Sequence, residues 1–192
     1  MLIDILISKV RVKILELFLG NPGQSYHVRE IVRRVGEEIN AVRRELARLE
    51  MTGFLQSEWR ANRRYYSVKR DFIFLPEFLS MVNKSIGLGG AIIKNRAKLG
   101  KISYAILSGS FVKGKPYNSN DIDLFVVGTI VLPELSSIIK EEEARRSREI
   151  NFTPMTDEEF NFRKNRRDPF VLNILSKPRV MLIGDEEELV KL

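Results

Sequence analysis

The chain has 192 residues, 44% of them hydrophobic, enough apolar material for one large core or two small ones. It contains no cysteine and a single histidine, which excludes disulfides and thiolate–zinc chemistry and leaves too little imidazole for a His-built metal centre. The net charge of +7 is uneven: residues 1–100 carry 18 Lys and Arg against 10 Asp and Glu, and residues 101–192 carry 14 against 15, so the first half suits a polyanionic partner.

No apolar run approaches the ~18 residues of a membrane span, and Met1-Leu-Ile-Asp4 is interrupted by an acid, unlike a signal peptide. The expectation is a cytoplasmic protein without a membrane partner. After an apolar lead from Leu2 to Ile7, Ser8 is placed to cap a helix over 9–19, with Ile14, Leu17 and Phe18 as its apolar stripe. Gly20-Asn-Pro-Gly23 stops it. A second helix is expected over 28–35, burying Ile31, Val32 and Val35, before Gly36 turns the chain. A third runs over 38–51 with Val42, Leu46 and Leu49 inward and ends at Thr52-Gly53. Its other face presents Asn40 and Arg44, flanked by Arg43 and Arg48. Residues 54–59 and 64–68 read as a hairpin whose basic tip carries Arg63 and Arg64. Trp59, Tyr65 and Tyr66 read as hairpin core in preference to a base-stacking surface, and His27 with Tyr26 as a packing or capping pair.

Three helices followed by a two-stranded wing resemble the winged helix-turn-helix of bacterial and archaeal regulators. The resemblance rests on Arg29-Glu-Ile31, Gly36, Val42, Leu46, Leu49-Glu50 and Gly53-Phe-Leu55. It implies double-stranded DNA as partner, with Asn40, Arg43, Arg44 and Arg48 in a major groove and Arg63 and Arg64 on phosphate or the minor groove. A homodimer would then read paired half-sites. The residues alone also allow a solvated helix face whose arginines pair with Glu45 or Glu50, and the fold also serves protein contacts.

A helix from Pro76 to Ile86 leads to Gly87-Leu-Gly-Gly90, the best domain boundary, dividing the chain into 1–86 and 87–192. A helix over 91–99 precedes an apolar strand, Ile102 to Leu107, that turns at Gly109-Ser110. The chain returns as Asp121-Ile-Asp123-Leu-Phe-Val-Val127. Strand alternation puts Asp121 and Asp123 on one face and Ile122, Leu124 and Val126 on the other. Like charges so close on a buried strand are costly unless cations lie between them, and a cation pair clamping a phosphoryl group is one arrangement that needs them. The glycine lets backbone approach a phosphate, and Ser110 adds a donor. Beyond lie a helix over 133–146, a strand from Glu149 to Met155, helices over 157–166 and 168–176, a short strand over 179–183 and a terminal helix from Asp185. Glu149 by itself reads as an exposed strand end, and Arg163-Lys-Asn-Arg-Arg167 as a solvated basic face.

Gly109-Ser110, ten residues and Asp121-x-Asp123 resemble the signature of the minimal nucleotidyltransferases of the polymerase-beta superfamily. Lys113-Gly114 fits the basic–glycine pair that follows, and Asn118-Ser-Asn120 the polar run into the first aspartate. The resemblance implies Mg2+ on Asp121, Asp123 and a third carboxylate, Glu149 of Arg-Glu-Ile-Asn, and a triphosphate (ATP or another NTP) at Gly109, Ser110 and Lys113. Val112 and Lys113 depart from the family's usual alanine and arginine. The expected fold is α+β in two domains: an N-terminal winged helix-turn-helix and a C-terminal nucleotidyltransferase-like mixed sheet with flanking helices. The implied activity is transfer of a nucleoside monophosphate to an acceptor hydroxyl, with a HEPN-like helical protein in an antitoxin-like pairing as the first candidate acceptor. The alternative is a transcriptional regulator whose second domain binds nucleotide only as a sensor.

Overall fold

The computed structural model describes residues 8–116, 118 and 121–191. The expected apolar lead from Leu2 to Ile7, and Ser119 and Asn120 of the polar run, lie outside the described residues. The chain divides into two compact units, 1–85 and 86–192, each mixing helices with a sheet. Among the described residues no helix is long and apolar enough to cross a membrane.

In the first unit α1 (Lys9–Leu19) starts at Ser8, whose hydroxyl accepts from the Arg11 N–H at 3.2 Å. Its buried face is Val12, Ile14, Leu15, Phe18 and Leu19. Leu17, expected inward, is only half-buried, because at about 100° per residue it falls outside the arc those five residues define. Strand β1 (Tyr26–His27) was not legible, since two residues cannot display a period. It adds to the hairpin through Tyr26 opposite Tyr66. His27 then caps α2 (Val28–Val35), its Nδ1 accepting from the Glu30 N–H, and Gly36 ends the helix in the left-handed region at φ 64°. Helix α3 (Ile39–Met51) begins one residue later than the sequence suggests: Glu38 is its cap, accepting from the N–H groups of Asn40 and Ala41 at 2.8 and 2.9 Å. Those two bonds hold the Glu38 carboxyl below its usual range.

Strands β2 (Leu55–Arg60) and β3 (Arg63–Val68) form the hairpin, and the sheet order is β1–β3–β2, all antiparallel. Helix α4 (Leu75–Ser85) closes the unit against a ring cluster of Phe54, Phe72 and Phe78.

The second unit opens with α5 (Gly87–Lys94). The glycines expected at the boundary form the first turn of this helix, and the division between the units falls just ahead of them, between Ser85 and Ile86. Gly87 sits where a Cβ would come within 3.0 Å of both the Glu142 carboxylate and the Arg146 guanidinium, so the helix start is pressed onto a neighbouring element. The helix ends well short of Leu99, at Asn95, whose side chain bonds back to the Ala91 carbonyl.

Strand β4 (Gly100–Ser108) passes into a single turn, α6 (Gly109–Val112), then β5 (Leu124–Ile130), α7 (Leu132–Arg146), β6 (Phe152–Met155), α8 (Asp157–Asn165), α9 (Pro169–Ser176), β7 (Arg179–Ile183) and α10 (Glu186–Val190). The sheet order is β6–β5–β4–β7, with β5–β6 parallel and the other pairs antiparallel, a mixed sheet. One face carries Ile106, Phe125 and Val127 against Phe160, Val171 and Leu189. The basic run on α8 is tied into this packing. Lys164 is buried, donating to the Glu188 carbonyl at 3.3 Å over the Phe160 ring, and desolvation lowers its pKa. Arg163 pairs with Glu159, and Arg166 lies over Phe162.

Candidate functional site

The site is the end of the β4–β5 pair. Strand β4 delivers Ser108, whose hydroxyl caps α6 by accepting from the Phe111 N–H at 3.2 Å. The chain must then pass directly beneath Pro178: the Gly109 N–H donates to the Pro178 carbonyl at 2.7 Å. A Cβ on Gly109 would stand 2.8 Å from that oxygen and 2.9 Å from the proline Cβ, so the turn admits only glycine.

Asp121 and Asp123 lie just ahead of β5, not within it, because regular pairing begins at Leu124. The N–H groups of both Asp123 and Leu124 converge on the Asn151 carbonyl, at 2.8 and 3.1 Å, which departs from a regular ladder. Strict alternation therefore fails here: Asp121, Ile122 and Asp123 all line one cavity, and Ile122 packs partly against the same core as Phe125.

Asp123 is the buried member, at 2% exposure. The Arg148 Nη2 donates to its Oδ1 at 2.8 Å and the Asn151 N–H to its Oδ2 at 3.1 Å. Desolvation raises its pKa, opposed by the Asn151 N–H and then the Arg148 charge. Asp121 is about one-third exposed, with Lys177 Nζ at 3.4 Å and the Asn118 amide at 3.3 Å. The Asn151 side chain ties the segment down, donating to the carbonyls of Asp121 and Asn118 at 3.0 and 3.1 Å.

The cavity measures about 100 Å³, and its polar lining includes Ser108, Ser110, Asp121, Asp123, Lys177 and Arg179. A whole nucleotide needs at least ~300 Å³, so the enclosed part suits a phosphate group. Arg179 is a second cation on its wall, half-held by the carbonyls of Lys177 and Leu175. Its Nη1 is buried with no hydrogen-bond partner among the described residues, a donor that an anionic oxygen would satisfy.

The expected residues are thus brought together unequally. Ser110, Asp121 and Asp123 share the cavity, with Gly109 beside Ser110 in the turn. Lys113 caps the end of α6, is exposed and does not line the cavity; Lys177 and Arg179 do. Glu149 is exposed in the connection before β6. Among the described residues no three Asp, Glu or His side chains group as a metal site. At Asp123 the side chain that arrives from that connection is the preceding residue, Arg148. Two carboxylates with a serine hydroxyl are hard oxygen donors. They fit a divalent cation that completes its shell on nucleotide phosphates, and do not fit a closed protein cage. Sequence reasoning missed Arg148, Asn151, Lys177 and Arg179 as site residues. The only signal was Asn151 in Arg-Glu-Ile-Asn, in line with Asp123 if the β5–β6 register is extended by one residue.

With that geometry the comparisons fall into place. Residues 91–177 match the nucleotidyltransferase domain family. The matched span runs from α5 through the Gly-Ser turn and both aspartates to Lys177, so the nucleotidyltransferase-like domain contains nearly all of the cavity lining. No curated protein matches the chain. Among solved structures the chain is similar to reduced HlyU from Vibrio cholerae, at 21% identity over 44% of this chain and 80% of that one, with a TM-score of 0.34.

The first unit carries a separate basic surface. Asn40, Arg43, Arg44 and Arg48 are all exposed on α3, and Arg63 at the hairpin tip is exposed too. Two of the expected contacts are already occupied within the fold. Arg48 pairs with Glu45, a buried carboxylate that also receives Arg11 from α1 at 2.8 Å. Arg64 is gripped by both oxygens of Glu50, at 2.9 and 2.8 Å, and by Ser57. Trp59, expected in the hairpin core, is 70% exposed, while Tyr66 takes the buried place.

Replacing Gly109 with alanine tests the tight passage under Pro178. Gly109→Ala is expected to cost about 2 kcal/mol in denaturant unfolding, in the range of overpacking substitutions, and to weaken nucleotide binding. Unchanged stability would show that the turn relaxes without opening the Pro178 contact.

Proposed function

We propose that this protein is a DNA-binding nucleotidyltransferase: residues 1–85 act as a winged helix-turn-helix on double-stranded DNA, and residues 86–192 transfer a nucleoside monophosphate from ATP or another NTP to an acceptor hydroxyl. The observation that carries the enzymatic half is the cavity in which Ser110, Asp121, Asp123, Lys177 and Arg179 converge, inside the span that matches the nucleotidyltransferase family. Ser110 and the orphaned Arg179 donor receive phosphate oxygens. Lys177, now on Asp121, stands where it can exchange that carboxylate for phosphate. Mg2+ held by Asp121 and Asp123 supplies neutralisation of the triphosphate charge. The acceptor oxygen attacks the α-phosphorus, the bond to the β-phosphate breaks, and pyrophosphate leaves as the hydroxyl proton is lost. The acceptor in this reading is a hydroxyl on a HEPN-like helical partner protein.

Glu149 enters as the third carboxylate of the family pattern. It follows Arg148 directly, and the charge that now meets Asp123 is that of Arg148. That pair favours a second reading, in which the domain binds nucleotide as a sensor without turnover.

For the first unit, the order of three helices, short strand and hairpin supports the winged-helix reading, together with the exposed arginines of α3 and the hairpin tip. A dimer of this unit would engage two half-sites.

Mg2+ with ATP is expected to raise the melting temperature, by an amount equivalent to ~2.7 kcal/mol at a hundredfold excess over Kd. Asp121→Ala combined with Asp123→Ala should remove most of that shift; an equal shift in both proteins would place the nucleotide elsewhere.

Glu149→Gln separates the two readings. It is expected to retain the nucleotide-induced shift and to lose transfer of labelled nucleotide to acceptor in a cell extract. Wild-type transfer by this variant would make the site a two-carboxylate one, and no transfer by either protein would favour the sensor.

Duplex DNA should bind the full chain with a log–log salt slope of roughly −4 to −5. Arg44→Glu is expected to abolish sequence-specific binding, and Arg63→Ala to flatten the slope by about 1. Arg64, committed to Glu50, should affect binding through hairpin stability and leave the slope little changed. Salt-independent binding, or none, would turn the unit into a protein-docking module.

A further inference from the structure

Trp59 is exposed on the side of the hairpin that ought to be covered. Along β2 the inward positions are Leu55, which is buried, and Ser57, whose hydroxyl donates to Glu50 of α3 at 2.5 Å; Trp59 is the next residue in that alternation. Its cross-strand partner is Arg64, which Glu50 and Ser57 hold while it lies over the Tyr66 ring at 5.3 Å. The hairpin is thereby pinned to α3 through Ser57 and Arg64, while Trp59, opposite Arg64, stays 70% exposed.

The space in front of it is a concavity of about 660 Å³ whose lining includes His27, Arg29, Arg43, Trp59, Asn62 and Arg63. That volume falls in the ~300–1,000 Å³ range of small-ligand sites. Of the four arginines that line it, Arg64 is paired with Glu50 and the other three have no ion pair among the described residues. Arg29, Arg43 and Arg63 are exposed and, among the described residues, have no acid partner, whereas Arg11, Arg34, Arg48, Arg60 and Arg64 of the same unit all do. An open aromatic face ringed by unneutralised guanidinium groups is the combination that single-stranded nucleic acid satisfies: a base offers a ring to stack, and the strand offers phosphates on either side. A paired duplex offers only the phosphates, because its bases are already stacked on one another.

We propose that this concavity binds an unpaired nucleotide of a polynucleotide strand, its base stacked on Trp59 and its flanking phosphates met by Arg29, Arg43 and Arg63. Asn62, at the hairpin tip, supplies an amide to the base edge. The site is additional to duplex binding and rests on that reading only in placing nucleic acid on this face of the unit.

Trp59 is the one tryptophan in the chain, so its emission reports this site alone. The full-length protein is titrated with a single-stranded oligodeoxynucleotide of about ten nucleotides and with a blunt duplex of the same sequence, each also labelled for anisotropy. The single strand is expected to quench Trp59 saturably, and the duplex to bind with little quenching. Trp59→Ala, at an exposed position that the fold does not use, should weaken single-strand binding at least about fivefold and duplex binding less than about twofold, while Trp59→Phe keeps most of the single-strand affinity. Single-strand binding that leaves the emission unchanged, or equal losses on both nucleic acids in Trp59→Ala, would overturn the proposal. Duplex binding with no single-strand binding would overturn it and leave the duplex reading standing; binding of neither would end both.

Discussion

A carboxylate taken out of water is the constraint on which the second unit turns. Asp123 is almost wholly buried at the start of the central strand, where an unpaired charge would cost several kcal/mol. It is tolerated because β6 runs parallel to β5 and brings Asn151 alongside: the asparagine backbone both accepts from the Asp123 N–H and donates to its carboxylate. The same asparagine's side chain clamps Asp121 and Asn118 by their carbonyls, so one residue sets both aspartates. Arg148 adds the compensating charge and also donates to the Lys115 carbonyl, linking Asp123 to the segment that follows the Gly-Ser turn.

Chemistry and stability are thus in tension at this point. A cation that binds Asp121 and Asp123 competes with Lys177 and Arg148 for the same oxygens. The fold supplies internal counter-ions for the carboxylates and leaves the Nη1 of Arg179, whose Nε lies 3.7 Å from Glu186, without a hydrogen-bond partner among the described residues.

In the first unit two glutamates do a comparable sorting. Glu45, buried in α3, draws Arg11 and Arg48 onto itself and ties α1 to α3; Glu50 draws Arg64 and ties the hairpin to α3. Among the described residues, the arginines of this unit left without an ion pair are Arg29, Arg33, Arg43, Arg44, Arg63 and Arg70, of which Arg43, Arg44 and Arg63 lie on α3 and the hairpin tip. The more exposed Glu50–Arg64 pair contributes little to stability, about 0–1 kcal/mol, but all three pairs decide which arginines are available.

Much of the architecture was legible in local signals. Ser8, Thr156, Asp168 and Asp185 each cap the helix they precede, because a side-chain oxygen within two or three residues of an unsatisfied N–H is a matter of short-range geometry. The apolar period of α3, the continuous apolar run of β5, and the spacing of Gly109-Ser110 from Asp121 and Asp123 were equally local. The sequence was misread where packing at a distance decides the outcome. Lys164 looks solvated until α10 covers it, and Trp59 looks like hairpin core until the fold leaves it exposed and buries Tyr66 instead. By itself, then, the sequence determined most of the order of elements and the Gly-Ser turn and two aspartates at the centre of the site, since these depend on neighbours along the chain. Which charges are spent within the fold was decided only by the tertiary structure: Arg11 meets Glu45 across 34 residues, Arg64 meets Glu50 across 14 and Arg148 meets Asp123 across 25, and no local pattern encodes a partner at those distances.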